Sequence, residues 1–290
     1  MKKLVPIYYY FNESDAKYAA ISIFSLISNC DENRNYRVHI LYSNLEKKTI
    51  DLFGSMKKKN VSVCLYDVNT KIIGLSNKFS TTSTLTDNDV APLLIQDNFL
   101  YNKAIFLNPF TIVLDDIAKL FDINLNNKLI GLTRFEDQII ESQKINNKHY
   151  YSDRVMLINT KMWRDDNFLN KLIDLSFTDD KQYNSLNSLL NDGCENKVKK
   201  ISNCFNLTSV SSQKTALGKQ HIISYSSFDY SALENLLCFY YVINSPMYEE
   251  VKEATKDIDF KEVENRYLNN KSKVNVKAIV KSLYKKYQAL

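Results

Sequence analysis

The chain has 290 residues, 44% of them hydrophobic and 24% charged, with 38 Lys and Arg against 33 Asp and Glu for a formal net charge of +5. Those proportions are ordinary for a globular protein and leave room for one large domain or two small ones around a substantial core. No apolar run reaches the ~18–20 residues that a membrane-spanning helix needs. Gly 5 and Pro 4 are scarce, where average usage would supply about 20 and 15. Neither G-x-G-x-x-G nor G-x-x-x-x-G-K-[ST] occurs, so P-loop nucleotide hydrolysis and Rossmann dinucleotide binding fall away.

Residues 4–11, 36–43, 61–68 and 104–114 read as strands, β-rich and bounded by polar clusters. Residues 16–29 read as a helix with Ile21, Phe24 and Ile27 on a mixed apolar face, and 45–58 as a second with Ile50, Leu52 and Phe53. Strand–helix–strand units of this length predict a largely parallel sheet covered by helices. Residues 70–90, rich in Ser, Thr and Asn, read as a loop leading into a helix near 90–98. A short helix over 115–121 and a strand over 128–132 come next, and 137–149 and 209–219 are soft, polar stretches. From about Ser245 the character changes to charged helix, dividing the chain into a domain over 1–244 and a basic amphipathic extension over 245–290.

Five cysteines (Cys30, Cys64, Cys194, Cys204, Cys238) are scattered and form no Cys-x-x-Cys. They read as reduced, mostly buried thiols, since structural zinc would want paired ligands. His39 lies inside an apolar strand, His221 at the edge of another and His149 in a polar loop, none with a partner at ligand spacing. Met1-Lys2-Lys3 is basic, but the run after it is too short and tyrosine-rich for a signal-peptide core. The expectation is a cytoplasmic protein.

The most informative stretch runs from Lys103 to Ile117: an apolar strand, an interruption at Asn108, Pro109 and Phe110, then Thr111-Ile112-Val113-Leu114-Asp115-Asp116. Phe121-Asp122-Ile123-Asn124-Leu125 and Leu129-Ile130-Gly131 follow, and later Val155-Met156-Leu157-Ile158-Asn159 with Lys161, Trp163 and Arg164. In order and spacing these runs resemble glycosyltransferase family 8, the glycogenin and bacterial lipopolysaccharide galactosyltransferase group, over about residues 4–225. The resemblance implies the GT-A, nucleotide-sugar-transferase fold: a Rossmann-like α/β domain with a mixed, mostly parallel sheet covered by helices, here with a C-terminal helical extension.

The same resemblance shows where the chain departs from its pattern. In the family a D-x-D pair and a late histidine hold a divalent metal on the donor pyrophosphate; here those three positions are Asn108, Phe110 and Ser224. The family's A-x-D-x-x-Y, which grips the uracil base, becomes Tyr10, Asn12 and Asp15. Its N-A-G beside the transferred sugar becomes Ser152-Asp153-Arg154, and its D-Q-D-x-L-N becomes a run opening at Gln182. No basic residue lies between Lys78 and Lys103 to meet donor phosphates. An amide, a phenyl ring and a hydroxyl are poor replacements for two carboxylates and an imidazole around a hard cation. No catalytic residue, metal ligand or cofactor is therefore assigned.

Other residues offer themselves as substitutes. Asp87-Asn88-Asp89 reads as helix capping, Asp115-Asp116 as a helix start, and Asp257-Ile258-Asp259 as part of a charged helix. His221, three residues before Ser224, points to the opposite strand face. Arg154 reads either as a phosphate clamp or as half of a surface ion pair with Asp153 or Asp137. The chain thus reads as a pseudo-glycosyltransferase, partner to another glycosyltransferase or to itself, or a glycan-binding subunit, in surface glycan or glycoprotein assembly. The alternative is an active retaining hexosyltransferase, using UDP-sugar with or without Mn2+ at an atypical donor site. Lys277, Lys281, Lys285 and Lys286 recur with Val276, Ile279, Val280, Leu283 and Tyr284 at helical spacing. Such a helix lies on an anionic membrane at the inner face of the cell, each lysine adding about 1 kcal/mol, or packs on protein. Nucleic acid is not indicated, because no recognised module accompanies the lysines.

Overall fold

The computed structural model describes residues 3–79, 81, 83–98, 101–135, 150–178, 182–194, 196–208, 221–225, 240–242 and 244–252. Ten strands are described: β1 (Leu4–Phe11), β2 (Asn35–Tyr42), β3 (Val61–Asp67), β4 (Ala104–Leu107), β5 (Thr111–Val113), β6 (Ile130–Arg134), β7 (Tyr151–Ile158), β8 (Val198–Ile201), β9 (Leu207–Thr208) and β10 (Ile222–Ser224). A seven-stranded sheet has the order β3-β2-β1-β4-β7-β6-β8, and a three-stranded one the order β5-β10-β9. In the large sheet only β7 runs against its neighbours, so the sheet is mixed and mostly parallel.

β1 explains the arrangement. Ile7, Tyr9 and Phe11 face one core and Tyr8 and Tyr10 the other, following the two-residue period of a strand covered on both faces. Pro6 is tolerated because β4 joins β1 only from Ile7 onward, leaving one edge of the strand unpaired at the proline. On the first face lie α1 (Ala16–Asn29), α2 (Lys47–Ser55) and, after β5, a single turn of helix at Ala118–Phe121. On the second lie α3 (Asn69–Ser76), the helical run from Asp87 to Asn98, and three later helices: Thr160–Asp165, Phe168–Ser176 and Leu186–Gly193. Trp163 is fully buried there and packs on Phe168 with ring centroids 5.2 Å apart. At the outer edge β8 carries Lys199 and Lys200, charges of the kind that discourage edge-to-edge pairing.

Several sequence expectations are corrected. The strand read over 104–114 is two strands in different sheets. Pro109 has no N–H to give a ladder, and the Asn108 side chain accepts from the Phe110 N–H at 3.0 Å, closing a turn. The loop read over 70–90 begins as helix α3, because Ile72 and Leu75 are spaced to bury one face. The helix near 90–98 starts earlier, at Asp87, and its middle tightens into a 3-10 turn over Ala91–Leu94, which contains Pro92. The helix read over 115–121 is reduced to its last turn. Of the cysteines, Cys30 and Cys194 are buried, Cys64 and Cys204 half-buried, and all four are unbridged; Cys238 lies outside the described residues. So do the stretches 137–149 and 209–219 and the extension beyond residue 252 with Lys277, Lys281, Lys285 and Lys286.

Candidate functional site

β1 and β4 are paired in parallel through Tyr8 and Phe106, so both chains leave the sheet along one edge. The crevice outside the carboxyl ends of parallel strands is where open α/β sheets bind ligands. Most of the positions singled out by sequence converge there.

The segment after β1 spends its polar groups on itself. The Tyr10 hydroxyl lies 2.8 Å from Ser43 Oγ. The Asn12 side chain accepts from Ser14 Oγ at 2.6 Å and from the Asp15 N–H at 3.3 Å, capping the turn that opens α1. The Asp15 carboxyl is held by the Asn88 and Ser14 side chains, yet burial leaves its pKa above the ordinary carboxylate value.

After β4 the chain makes a tight, well-tied turn. The Asn108 N–H donates to the Arg154 carbonyl at 2.9 Å. Thr111 Oγ1 donates to the Asn108 carbonyl at 2.8 Å and sits 2.9 Å from Ser22 Oγ, which in turn meets the Tyr9 hydroxyl at 3.0 Å. The half-buried Phe110 ring lies against Tyr18, centroids 4.6 Å apart, and edge-on to Tyr225 at 5.9 Å. The Tyr225 N–H donates to the Phe110 carbonyl at 3.1 Å, and the buried Ser224 is the register partner of Thr111. Ser224 thus adjoins the turn through the β5–β10 pairing, and Asn108 reaches Phe110 within it.

Those residues do not fit a divalent metal. A hard cation wants several oxygen ligands, with carboxylates to offset its charge. Asn108 Oδ1 already accepts a backbone N–H, the phenyl ring offers nothing, and the Ser224 hydroxyl is neutral. No group of three or more His, Cys, Asp or Glu side chains among the described residues could hold a metal ion.

A bulge brings the third set of positions in. The β6–β7 pairing jumps from Leu132↔Met156 to Thr133↔Ser152, so Asp153, Arg154 and Val155 have no partner on β6. Bulges of this kind re-aim side chains beside sites. Arg154 is half-buried and its Nη1 donates to the Tyr225 carbonyl. In place of the surface ion pair with Asp153 that the sequence offered, Arg154 makes a half-buried contact to backbone; Asp137 lies outside the described residues. Burial pushes the Asp153 carboxyl up to about 6, with Arg154 pulling it down and Asp89 adding to the rise. Ser152 is buried. Gln182 is exposed, and the chain there is anchored instead by the neighbouring Tyr183, whose hydroxyl donates to Asp192 at 3.0 Å.

The substitutes among the described residues behave as capping and packing residues, and Asp257-Ile258-Asp259 lies outside them. Asp89 Oδ2 accepts from the Thr86 N–H at 2.8 Å in a capping box, and its other oxygen accepts from the Leu186 N–H at 2.9 Å. Asp116 accepts from the Ala118 N–H at 3.0 Å and from the Tyr36 hydroxyl at 2.6 Å. His221 turns away from Ser224: its Nδ1 lies 2.6 Å from Asp115, and its ring stacks on Phe205 at 4.8 Å. His39 is buried and stacked on Tyr8 at 4.5 Å, with burial lowering its pKa to about 4. Sequence reading missed Tyr18, although it lies three residues after Asp15 on the same helical face; the places of Asn88 beside Asp15 and of Tyr225 beside Phe110 come only from folding.

Comparison with known proteins agrees with the fold. The profile of Glycosyl transferase family 8 matches residues 6–226. A Haemophilus influenzae protein, provisionally named a glycosyltransferase, is 28% identical over 210 residues, an alignment covering 67% of this chain and 60% of that protein. Among solved structures, the bifunctional glycosyltransferase WbbM in its apo form superposes with a TM-score of 0.69 at 18% identity, covering 88% of this chain and 52% of WbbM. The galactosyltransferase LgtC in complex with donor and acceptor sugar analogues gives 0.61 at 16% identity, covering 90% of this chain and all (100%) of LgtC. The chain therefore spans little more than half of WbbM and three fifths of the Haemophilus protein. At such identities the structural likeness is one of fold.

Proposed function

The chain belongs to glycosyl transferase family 8, and from that premise we propose that it is a degenerate member, non-catalytic or strongly impaired. It serves as a partner or glycan-binding subunit of an active glycosyltransferase, or of a second copy of itself, in bacterial surface glycan or glycoprotein assembly. The observation that carries this reading is the convergence of Asn108, Phe110 and Ser224 at the strand tip. Departure of a nucleoside diphosphate builds negative charge on the pyrophosphate, which a divalent ion stabilises by several kcal/mol. An internally bonded amide, a phenyl ring and a buried hydroxyl supply none of that. The expected place of work is the cytoplasm, with the 245–290 segment and its Lys277, Lys281, Lys285 and Lys286 available to an anionic membrane surface or a protein partner. No helix among the described residues is long and apolar enough to cross a membrane.

Isothermal titration of the full chain with UDP-galactose and UDP-glucose, each with and without Mn2+, tests the reading. No heat of binding is expected, and micromolar, metal-dependent binding refutes it. A pulldown from the native host should recover a second glycosyltransferase.

One observation favours a second reading, an active retaining hexosyltransferase whose donor site needs no metal. Arg154 is a half-buried cation whose own carbonyl is bonded to Asn108, placing positive charge where a metal-free site would need it. Sugar transfer from a UDP-sugar in the presence of EDTA, abolished by Arg154→Ala, would establish that reading over the first.

A further inference from the structure

Each parallel strand of the large sheet is entered from a cation. Lys3 precedes β1, Arg34 precedes β2, and Lys57, Lys58 and Lys59 stand just before β3. Lys103 precedes β4, Lys128 lies two residues before β6, and Lys197 precedes β8. Because these strands run the same way, their entry points share one end of the sheet, opposite the crevice. The other end differs. The two residues that follow each of these strands include no Lys or Arg, although β6 itself closes on Arg134.

Contacts tie the cations together. Lys3 and Lys103 both lie over the Phe121 ring, 5.5 and 4.7 Å from its centroid, and Lys3 and Arg34 share the carboxylate of Asp122. Burial, and then the nearby Lys3, lower the Lys103 pKa from its ordinary value. The ammonium groups of Lys58, Lys103 and Lys128 donate to the carbonyls of Cys30, Ile123 and Asn196 at 3.4, 3.1 and 2.7 Å. Such neutral acceptors place a charge without cancelling it. Lys57 and Lys59 are exposed, and no carboxylate among the described residues pairs with either, nor with Lys58, Lys103 or Lys128. Against these cations stand Asp31 and Glu32 in the turn before β2, Asp116 bonded to Tyr36, Asp122, and Asp166, which Lys197 meets at 2.9 Å. Positive charge is in excess.

We propose that this end of the sheet docks the protein on an anionic phospholipid surface, with the crevice facing away from it. The C-terminal lysines considered above are not needed for it. Three features favour lipid over a protein partner. The strand entries form a row about 30 Å wide, seven strands at ~4.8 Å spacing, which suits an extended charged plane. Lysines predominate, point charges suited to diffuse headgroup charge, where a bidentate protein contact would favour arginine. The exposed large apolar residues among those described are Ile73 and Phe177, neither at a strand entry, so the row lacks the buried anchor of a protein interface. The eight residues of β1 then hold the crevice about 25 Å from the headgroups.

Cosedimentation of the full-length protein with vesicles of phosphatidylcholine, alone or mixed with phosphatidylglycerol, tests this. Binding should require the anionic lipid and fall with added salt. Replacing Lys57, Lys58 and Lys59 together by Gln should weaken it about tenfold or more, whereas Lys47→Gln with Lys48→Gln, at the other end of α2, should not. Acetylation footprinting of the unaltered protein gives a readout independent of any variant's folding: vesicles should shield Lys57 and Lys59 and leave Lys47 and Lys48 reactive. Equal binding to neutral vesicles, full binding by the Lys57–Lys59 triple variant, shielding of Lys47 and Lys48 alone, or RNA that displaces the vesicles overturns the proposal. Metal-dependent binding of UDP would remove the degenerate-site reading and leave this one standing.

Discussion

Strand β4 and the turn after it are adjacent in sequence and held by different forces. Ala104, Ile105, Phe106 and Leu107 are all buried, paired with β1 on one side and β7 on the other. A polar substitution at any of them would bury an unmatched group. Asn108 and Phe110, one step further, are half-buried and held by side-chain-to-backbone bonds that close a turn. That turn asks only for compact closure, so its side chains are free to differ in chemistry without disturbing the sheet. The lesson is that family fold and family chemistry are specified by separate residues, the strand bodies for one and the strand tips for the other.

The sharpest way to break this contrast is Trp163→Ala on the sheet-covering layer. Loss of a fully buried indole should cost about 3–5 kcal/mol in urea unfolding, whereas Phe110→Ala at the tip should cost only about 1 kcal/mol. Comparable losses would mean that the tip is as much a part of the core as the body. Gly131→Val in β6 comes next. A Cβ there would already meet Leu125 Cδ2 at 3.0 Å and Ile201 Cγ2 at 3.3 Å, so overpacking of about 1–3 kcal/mol is expected.

Two aspartates sharpen the contrast through pH, because their signs are opposite. Asp153 at the tip has a folded pKa near 6, above its usual 3.8. Its contribution is therefore full below about pH 4 and is lost as pH rises through 6. Asp153→Asn should remove this dependence, raising stability at pH 7.5 relative to wild type by about 1–2 kcal/mol in denaturant melts. Asp122, far from the crevice, is held below the ordinary range by Arg34 first and by Lys3, whose Nζ is 3.0 Å away. Its contribution is present above about pH 4 and is lost as pH falls. Since the group is well exposed, Asp122→Asn should cost under about 1 kcal/mol, shrinking further in 0.5 M salt.

Much of the strand layer was legible in single residues. Tyr8, Tyr9, Tyr10 and Phe11 form an unbroken apolar run because β1 is covered on both faces, and α1 occupies residues 16–29 as its spacing implied. Legibility failed where composition and periodicity disagreed. Asn69, Thr70 and Ser76 look like loop residues, yet Ile72 and Leu75 bury a helical face, and burial outweighs the weak propensity of the polar ones. It failed again at the tip, where identities were plain and directions were not. That Arg154 turns to Tyr225 instead of Asp153 follows from a bulge in β7, and a bulge leaves little trace in the side-chain pattern.

By itself, then, the chain's one-dimensional order determined the first strands and helices, the family, and an amide, a phenyl ring and a hydroxyl at positions 108, 110 and 224. Those follow from local periodicity and residue identity, which need no distant contact. Only the tertiary structure decided that residues 104–114 break into two sheets, and that Phe110 packs between Tyr18 and Tyr225. The same holds for Arg154, which donates to the Tyr225 carbonyl, and for Asp153, whose carboxyl burial raises. These depend on segments some 90–200 positions apart meeting at a sheet edge, and on how much water is left around each charge once they have met.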